Sequence, residues 1–256
     1  ANGVERERLV TLSGSAREVL RDDTLVTCII ADRQAVVVGK SRPQALYGSA
    51  VLTGRGYRDY YTLGLEGEDR VAGRTAEIVA IKPRDEFRFG YRLWVDQTSG
   101  LLLRSELLGG DNQVLERIVY LSLSTPEEIP DKLLEPEISG SGFSRYTSTP
   151  SKQAPSPSSE WGIGWLPPGF TMRERESTPL PEGRRPLEHQ VYGDGLASLS
   201  VYIEELAPNA KSLDGVSRMG AMNAFGIMVG QYQVTIVGEV PGVTVQKVGR
   251  SVERLQ

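Results

Sequence analysis

One histidine, His189, and one cysteine, Cys28, stand in the whole chain. A HExxH zinc site or any histidine-rich metal centre needs more than one imidazole. An internal disulfide needs a second thiol. No GxSxG nucleophile elbow, P-loop, GxGxxG after a strand or EF-hand loop occurs. Glu127, Glu128 and Asp131 are the nearest approach to a carboxylate cluster, and their spacing suits the solvated start of a helical turn better than an acid–base pair. The chain is therefore read as a non-enzyme with no catalytic residue, cofactor or metal. His189 is expected as a bland residue at the start of a strand, and Cys28 as a quiet strand residue.

Two features point to binding. Arg88, Arg92 and Trp94 fall on one parity of a strand-like run, with Arg104 on the matching parity of the next. That face could hold the phosphates of a lipid or lipopolysaccharide, or could be a solvated face balanced by Glu106 and Glu116 through cross-strand pairs. The second feature is the apolar run Trp161, Trp165, Leu166, Pro167, Pro168 and Phe170. It is either a hinge that packs into a core or an exposed anchor for a peptide. The net charge of −4 and pI near 5.3 weigh against a general nucleic-acid binder. No apolar run approaches the roughly 18 residues of a membrane span.

These residues sit on a chain that alternates like sheet. From Phe87 to Leu123 two turn clusters separate three strand-like runs. Phe87, Phe89, Tyr91, Leu93 and Val95 share one parity, the period of a strand with one buried face. Leu101, Leu103 and Leu107 form the best apolar parity of the second run. Matching the two faces requires an odd loop, and Thr98-Ser99-Gly100 with a left-handed Gly100 supplies it. Leu107 then faces Leu115 across Gly109–Gln113, and Val119, Leu121 and Leu123 continue the apolar face. Upstream, strands are predicted over Val4–Leu12, Ala16–Leu20, Thr24–Ile30, Ala35–Gly39, Tyr60–Glu66 and Arg74–Pro83, with a turn at Gly67-Glu68-Asp69 and a short helix within 44–52.

After Ser124 come acids and prolines, with one helical turn around Asp131–Leu134. Residues 139–160 are rich in serine and poor in apolar side chains, which reads as a flexible linker. Beyond it, strands are predicted at Thr171–Ser177, Glu188–Tyr192, Leu196–Glu204, Asn223–Val229 and Gln233–Glu239, with Gly193-Asp194-Gly195 as a tight turn. Pro241 opens a final helix that lays Val245, Val248, Val252 and Leu255 on the sheet. The resulting fold class is α+β. Residues 1–138 form a large domain, 139–160 the linker and 161–256 a smaller α+β domain.

Several runs resemble the RseB/MucB family of periplasmic regulators of envelope-stress signalling in Gram-negative bacteria. They are Arg70-Val71-Ala72-Gly73-Arg74, Pro83-Arg84-Asp85, Tyr91-Arg92-Leu93-Trp94-Val95-Asp96, Ser99 to Ser105, and Leu115-Glu116-Arg117. Later come Trp165 to Phe170, Tyr192 to Leu196, and Ile236 to Pro241. The resemblance implies that the large domain is a curved antiparallel half-barrel similar to the lipoprotein carriers LolA and LolB. It also implies an earlier helix and first strands, so the chain is expected to enter that sheet in mid-pattern.

By the same resemblance, the partner is the periplasmic part of a transmembrane anti-sigma factor of the RseA/MucA kind. Binding would shield that partner from regulated proteolysis, and lipopolysaccharide or lipoprotein acyl chains would relieve the protection. Trp165, Leu166, Phe170, Tyr192 and Leu196 are the expected partner-binding positions. Phe89, Tyr91, Leu93, Leu101, Leu103 and Leu107, with Arg88 and Arg92, are the expected lipid-binding positions. The alternative is a periplasmic lipid or lipoprotein carrier using that apolar face.

Overall fold

A computed structural model describes residues 5–41, 56–148, 160–178, 185–206 and 210–255. Its strands are β1 (Glu7–Val10), β2 (Arg17–Arg21), β3 (Leu25–Ile30), β4 (Ala35–Lys40), β5 (Tyr61–Val71), β6 (Arg74–Pro83), β7 (Gly90–Asp96), β8 (Leu102–Leu108), β9 (Val114–Val119), β10 (Ser144–Ser148), β11 (Trp161–Ile163), β12 (Thr171–Thr178), β13 (Leu187–Gly193), β14 (Ser198–Glu205), β15 (Gly215–Met219), β16 (Met222–Val229), β17 (Tyr232–Gly238) and β18 (Val252–Arg254). Among the described residues the one α-helix, α1, is Gly242–Arg250. The protein is mostly β-sheet. The described residues form two compact units, one within 1–44 and 124–152, the other within 45–123 and 153–256. The helix expected within 44–52 lies outside the described residues.

The first unit holds the sheet β1-β2-β3-β4-β10. Its hairpins form where alternation and turn residues place them, with Gly14 at a φ of 74° in the first turn. Ser144–Ser148, inside the stretch read as a linker, runs parallel to β4 from Ala35 to Gly39. Backbone hydrogen bonds to an existing strand order it, and these need no apolar side chains. A buried carboxylate ties β2 to the segment after the 3₁₀ turn Asp131–Leu134. Glu18, 1% exposed, accepts Arg8 Nη2 at 3.0 Å and the backbone N–H groups of Glu137 and Ile138 at 3.0 and 3.2 Å.

In the second unit β5 to β9 form an antiparallel meander. The turn expected at Gly67-Glu68-Asp69 is instead a bulge within β5, between Leu65 and Glu68, and Gly67 takes it up at a φ of 106°. The chain reverses at Ala72-Gly73, both with positive φ (51° and 78°). A two-residue loop of that kind matches strand twist, so the strands run further before turning.

A second irregularity re-sorts the apolar residues. Tyr91 pairs with Leu107, but the register shifts between Trp94 and Val95, so that Val95 pairs with Leu102. Gly100 is left-handed as expected, with a φ of 71°. The inserted residue moves Leu103 onto the other face, where it packs with Val71, Ala76 and Trp94. Leu107 stays with Phe89, joined by Leu115, while Leu101 is 44% exposed. The expected single face Leu101–Leu103–Leu107 therefore does not form, because one extra residue in a strand exchanges its faces. Val119 and Leu121, expected to continue the buried face, are exposed.

Asp96 closes the β7–β8 turn. Bonds from Arg74, at 2.9 and 3.0 Å, hold its carboxyl at a pKa of about 2, and the Ser99 hydroxyl and N–H add to the effect. A carboxylate whose folded value is depressed contributes stability fully above its unfolded value, and that stability is lost as pH falls through the folded value. Stability of the wild type should therefore fall between pH 3.8 and about 2 more steeply than that of Asp96→Asn. Urea melts across that range measure the two slopes, and equal slopes would refute the assignment.

The rest of this unit is a six-stranded sheet, β12-β13-β14-β17-β16-β15, with α1 on one face. Val245 and Val248 of α1 pack with Phe225 and Ile236. The helix ends one turn earlier than its periodicity predicts. Ser251 closes it with an N–H bond to Val248 O at 2.9 Å. Val252 then pairs with Ile163 in the two-stranded β11–β18 ribbon, and Leu255 is 52% exposed. Val252 is buried as predicted, but on a strand, where a β-branched residue fits well.

Candidate functional site

Arg88 does not sit on the strand whose alternation placed it beside Arg92 and Trp94. β7 begins at Gly90, and residues 84–88 form a bend. Asp85 shapes that bend by accepting the N–H of Phe87 at 3.0 Å, as Asx turns do. The bend aims the Arg88 side chain inward, where it is 0% exposed. Its Nη1 reaches Asp194 Oδ2 at 2.5 Å, and Asp194 is equally buried. Its Nε and Nη2 meet the two oxygens of Asp85 at 3.0 and 2.9 Å, and Nη2 also donates to Pro168 O at 2.8 Å. Tyr60, Tyr61 and Phe170 surround the guanidinium at 4.9 to 5.5 Å.

Asp194 was legible only as a turn residue. Its Oδ1 does accept the N–H groups of Leu196 and Ala197, both at 2.8 Å, and so holds the β13–β14 turn. Its Oδ2 accepts Arg88 and the Tyr61 hydroxyl, the latter at 3.0 Å. Burial first, and the Asp194 charge second, push the Tyr61 hydroxyl far up, so it stays a donor. Burial works against the Arg88 charge, but its bonds to Asp85 and the charge of Asp194 outweigh it and raise its pKa. Thr244 Oγ1 adds a bond to Phe87 O at 2.8 Å. This polar node fastens the meander to the helix-bearing sheet within one unit. Nothing in the alternation of either segment signals it.

The aromatic run is largely core. Trp161 and Phe170 are buried in the main cluster, and Trp165 and Leu166 pack against it part-exposed. Trp165 meets Phe87 edge-on at 4.9 Å, with Lys247 Nζ 4.1 Å from the indole centroid. Of the other expected partner positions, Tyr192 is 5% exposed with its hydroxyl on Gln190 Oε1 at 2.6 Å, and Leu196 packs part-exposed near Tyr61 and Leu93.

The expected lipid positions divide among three clusters. Leu93 packs with Tyr61 and Ile81, Phe89 with Leu107, and Leu103 with Trp94, while Tyr91 touches the first two. The cationic face is compensated. Glu106, 1% exposed, pairs with Arg92, Arg104 and Arg117, and Arg92 also meets Glu66 at 2.9 Å. Arg104 stacks 3.9 Å above Trp94. His189 lies on β13 with its ring stacked on Tyr202 at 4.3 Å.

A cavity of about 440 Å³ opens in this unit where Tyr91 and Leu196 meet Ser198, Tyr202, Met222 and Glu239. Among the described residues no cluster could hold a metal ion, and no helix is long and apolar enough to cross a membrane.

Two family models match this chain, described as the MucB/RseB N-terminal domain over residues 1–138 and the MucB/RseB C-terminal domain over 155–253. The sigma factor AlgU regulatory protein MucB of Pseudomonas aeruginosa is 35% identical over 263 residues, spanning 98% of this chain and 78% of its own. The sigma-E factor regulatory protein RseB of Haemophilus influenzae is 28% identical over 256 residues, spanning 96% and 76%. A solved complex of Pseudomonas aeruginosa MucA and MucB superposes with a TM-score of 0.76 at 31% identity, over 100% of this chain and 85% of that one.

Proposed function

This chain belongs to the MucB/RseB family, and from that we propose that it is a non-enzymatic periplasmic regulator of an envelope-stress sigma factor. It binds the periplasmic part of a transmembrane anti-sigma factor and shields it from regulated proteolysis, and lipid or lipopolysaccharide relieves the protection. The observation that carries this reading is the likeness, over all of this chain and 85% of the other, to a MucB solved together with MucA. The reading includes a LolA/LolB-like half-barrel for residues 1–138, with the domain boundary in 139–160. The family models, one ending at 138 and the next beginning at 155, support a boundary between them.

Binding of a segment that is disordered alone costs ordering entropy, which the interface must exceed. A lipid that favours a weakly binding arrangement then loosens the grip by linkage. Trp165, Leu166 and Leu196 are the proposed contact positions, since each keeps exposed area. Phe170 and Tyr192 shape that surface from beneath. The lipid-carrier reading draws less support, because its apolar positions are spread over separate packed clusters rather than one open face.

Calorimetric titration with the periplasmic segment of the cognate anti-sigma factor tests the proposal. Saturable binding is expected, weakened about tenfold by lipopolysaccharide, within the usual range of coupling between two sites. A folded sample that does not bind would refute the partner. Binding indifferent to lipopolysaccharide would refute the relief mechanism.

A further inference from the structure

The six-stranded sheet has α1 on one face, and the other face carries Ser198, Ser200 and Tyr202 along β14. Val237 of β17 lies opposite Ser200 on that face. Tyr91, from β7, and Leu196 wall this face at one end, and the result is the cavity of about 440 Å³. Its size falls in the range of pockets that accept small ligands or a long side chain. Two tyrosine rings, Leu196 and Met222 supply apolar walls, and Glu239 supplies a charge at the rim.

That charge lacks a counter-charge. Among the described residues neither Glu239 nor Glu116 makes an ion pair. Glu239 keeps exposed surface, but the protein partly desolvates its carboxyl, and this, then the Glu116 charge, raises it. Burial, and then Glu239, Asp194 and Glu116, raise the Tyr91 hydroxyl. Asp194 is neutralised by Arg88, so the negative potential that remains belongs to Glu239 and Glu116. An anionic occupant would be repelled by both. A wholly apolar one would desolvate a carboxylate without a partner, which is costly. A flexible apolar stem with a cationic head satisfies both the walls and the rim, and tyrosine faces attract such a head.

We propose that this cavity receives one arginine or lysine side chain of the bound anti-sigma segment, its stem between Tyr91, Tyr202 and Met222 and its charge at Glu239, with Glu116 adding to the field. The proposal rests on the partner reading above and names the chemistry by which that partner is recognised.

The test is a double-mutant cycle by calorimetry on the full chain. Glu239 is exposed, so Glu239→Gln and Glu239→Lys should fold normally. Glu253→Gln, exposed on β18, makes the same change in net charge away from the cavity. Loss of one charge-assisted contact predicts about tenfold weaker binding for Glu239→Gln, and charge reversal about a hundredfold for Glu239→Lys. Glu253→Gln should bind as the wild type does. Replacing each arginine and lysine of the segment in turn by glutamine should reveal one position whose loss weakens the wild type about tenfold and leaves Glu239→Gln unchanged. Equal binding by the wild type and both Glu239 variants would overturn the cavity's role while leaving the partner in place. A wild type that binds no segment would overturn the partner reading and this inference with it.

Discussion

Arg88→Ala should lower the stability of the second unit by about 3–5 kcal/mol, the usual cost of stranding a buried charge. Asp194, buried in the wild type, would keep only the Tyr61 hydroxyl and two backbone N–H groups to hold its charge. Asp194→Ala leaves the guanidinium paired with Asp85, but it removes the acceptor that holds the β13–β14 turn, so it should also be destabilising. The double variant should cost clearly less than the two single losses added, because the buried Asp194 carboxylate is no longer left without its partner. All three tryptophans, Trp94, Trp161 and Trp165, lie in this unit, so urea unfolding followed by tryptophan fluorescence reads it directly. Additive losses would mean that the pair is not coupled. A loss under about 0.5 kcal/mol for Arg88→Ala would mean that the residue behaves as an ordinary surface group, contrary to its burial.

A comparable loss is expected in the first unit from Glu18→Ala. Its carboxylate is the shared acceptor for Arg8 and for the N–H groups of Glu137 and Ile138. Arg8 would keep Glu137 at 3.2 Å and Leu133 O at 3.4 Å, but the N–H groups of Glu137 and Ile138 would lose the acceptor they share. Removal should cost about 3 kcal/mol, and Glu18→Gln, which keeps an acceptor oxygen, roughly half as much. Native-state hydrogen exchange is the suitable probe, because this unit contains no tryptophan. Protection should drop across β2 and β3 and remain unchanged in β13, β14 and β17. A uniform drop over both units would contradict the division of the chain into two. No drop anywhere would contradict the role given to Glu18.

Much of the strand order was legible because period-two alternation and turn residues are local properties. β1 to β4, β6, β13, β16 and β17 lie within a few residues of where the pattern puts them. The 3₁₀ turn at Asp131–Leu134 and the Pro241 start of α1 follow equally local rules. The misassigned faces and the misplaced turn in the meander share one cause. Alternation assumes an uninterrupted ladder, and the bulges after Leu65 and near Leu103 break it by one residue each. Past such a point every inference about faces inverts, which is why Leu103 changed sides and Gly67 looked like a turn. Ser144–Ser148 went unrecognised because a strand added by backbone bonding alone leaves no apolar signature.

The candidate site was less legible than the fold. Tyr91, Leu196 and Trp165 could be named from type and pattern, but their grouping could not. Arg88 and Asp194 are 106 residues apart, and each has a sufficient local explanation, one as a strand-face cation and the other as a turn former. Glu239 likewise reads as the solvated end of a strand until Tyr91 is brought beside it. The run of residues by itself determined most of the strand order, an α+β class that the structure refines to mostly β-sheet, the lack of catalytic motifs, and the family to which the chain belongs. Only the tertiary structure decided which charges are buried in pairs and which stand uncompensated at a cavity. Periodicity reports one element's burial against solvent, whereas the pairing of charges depends on which distant elements share a space.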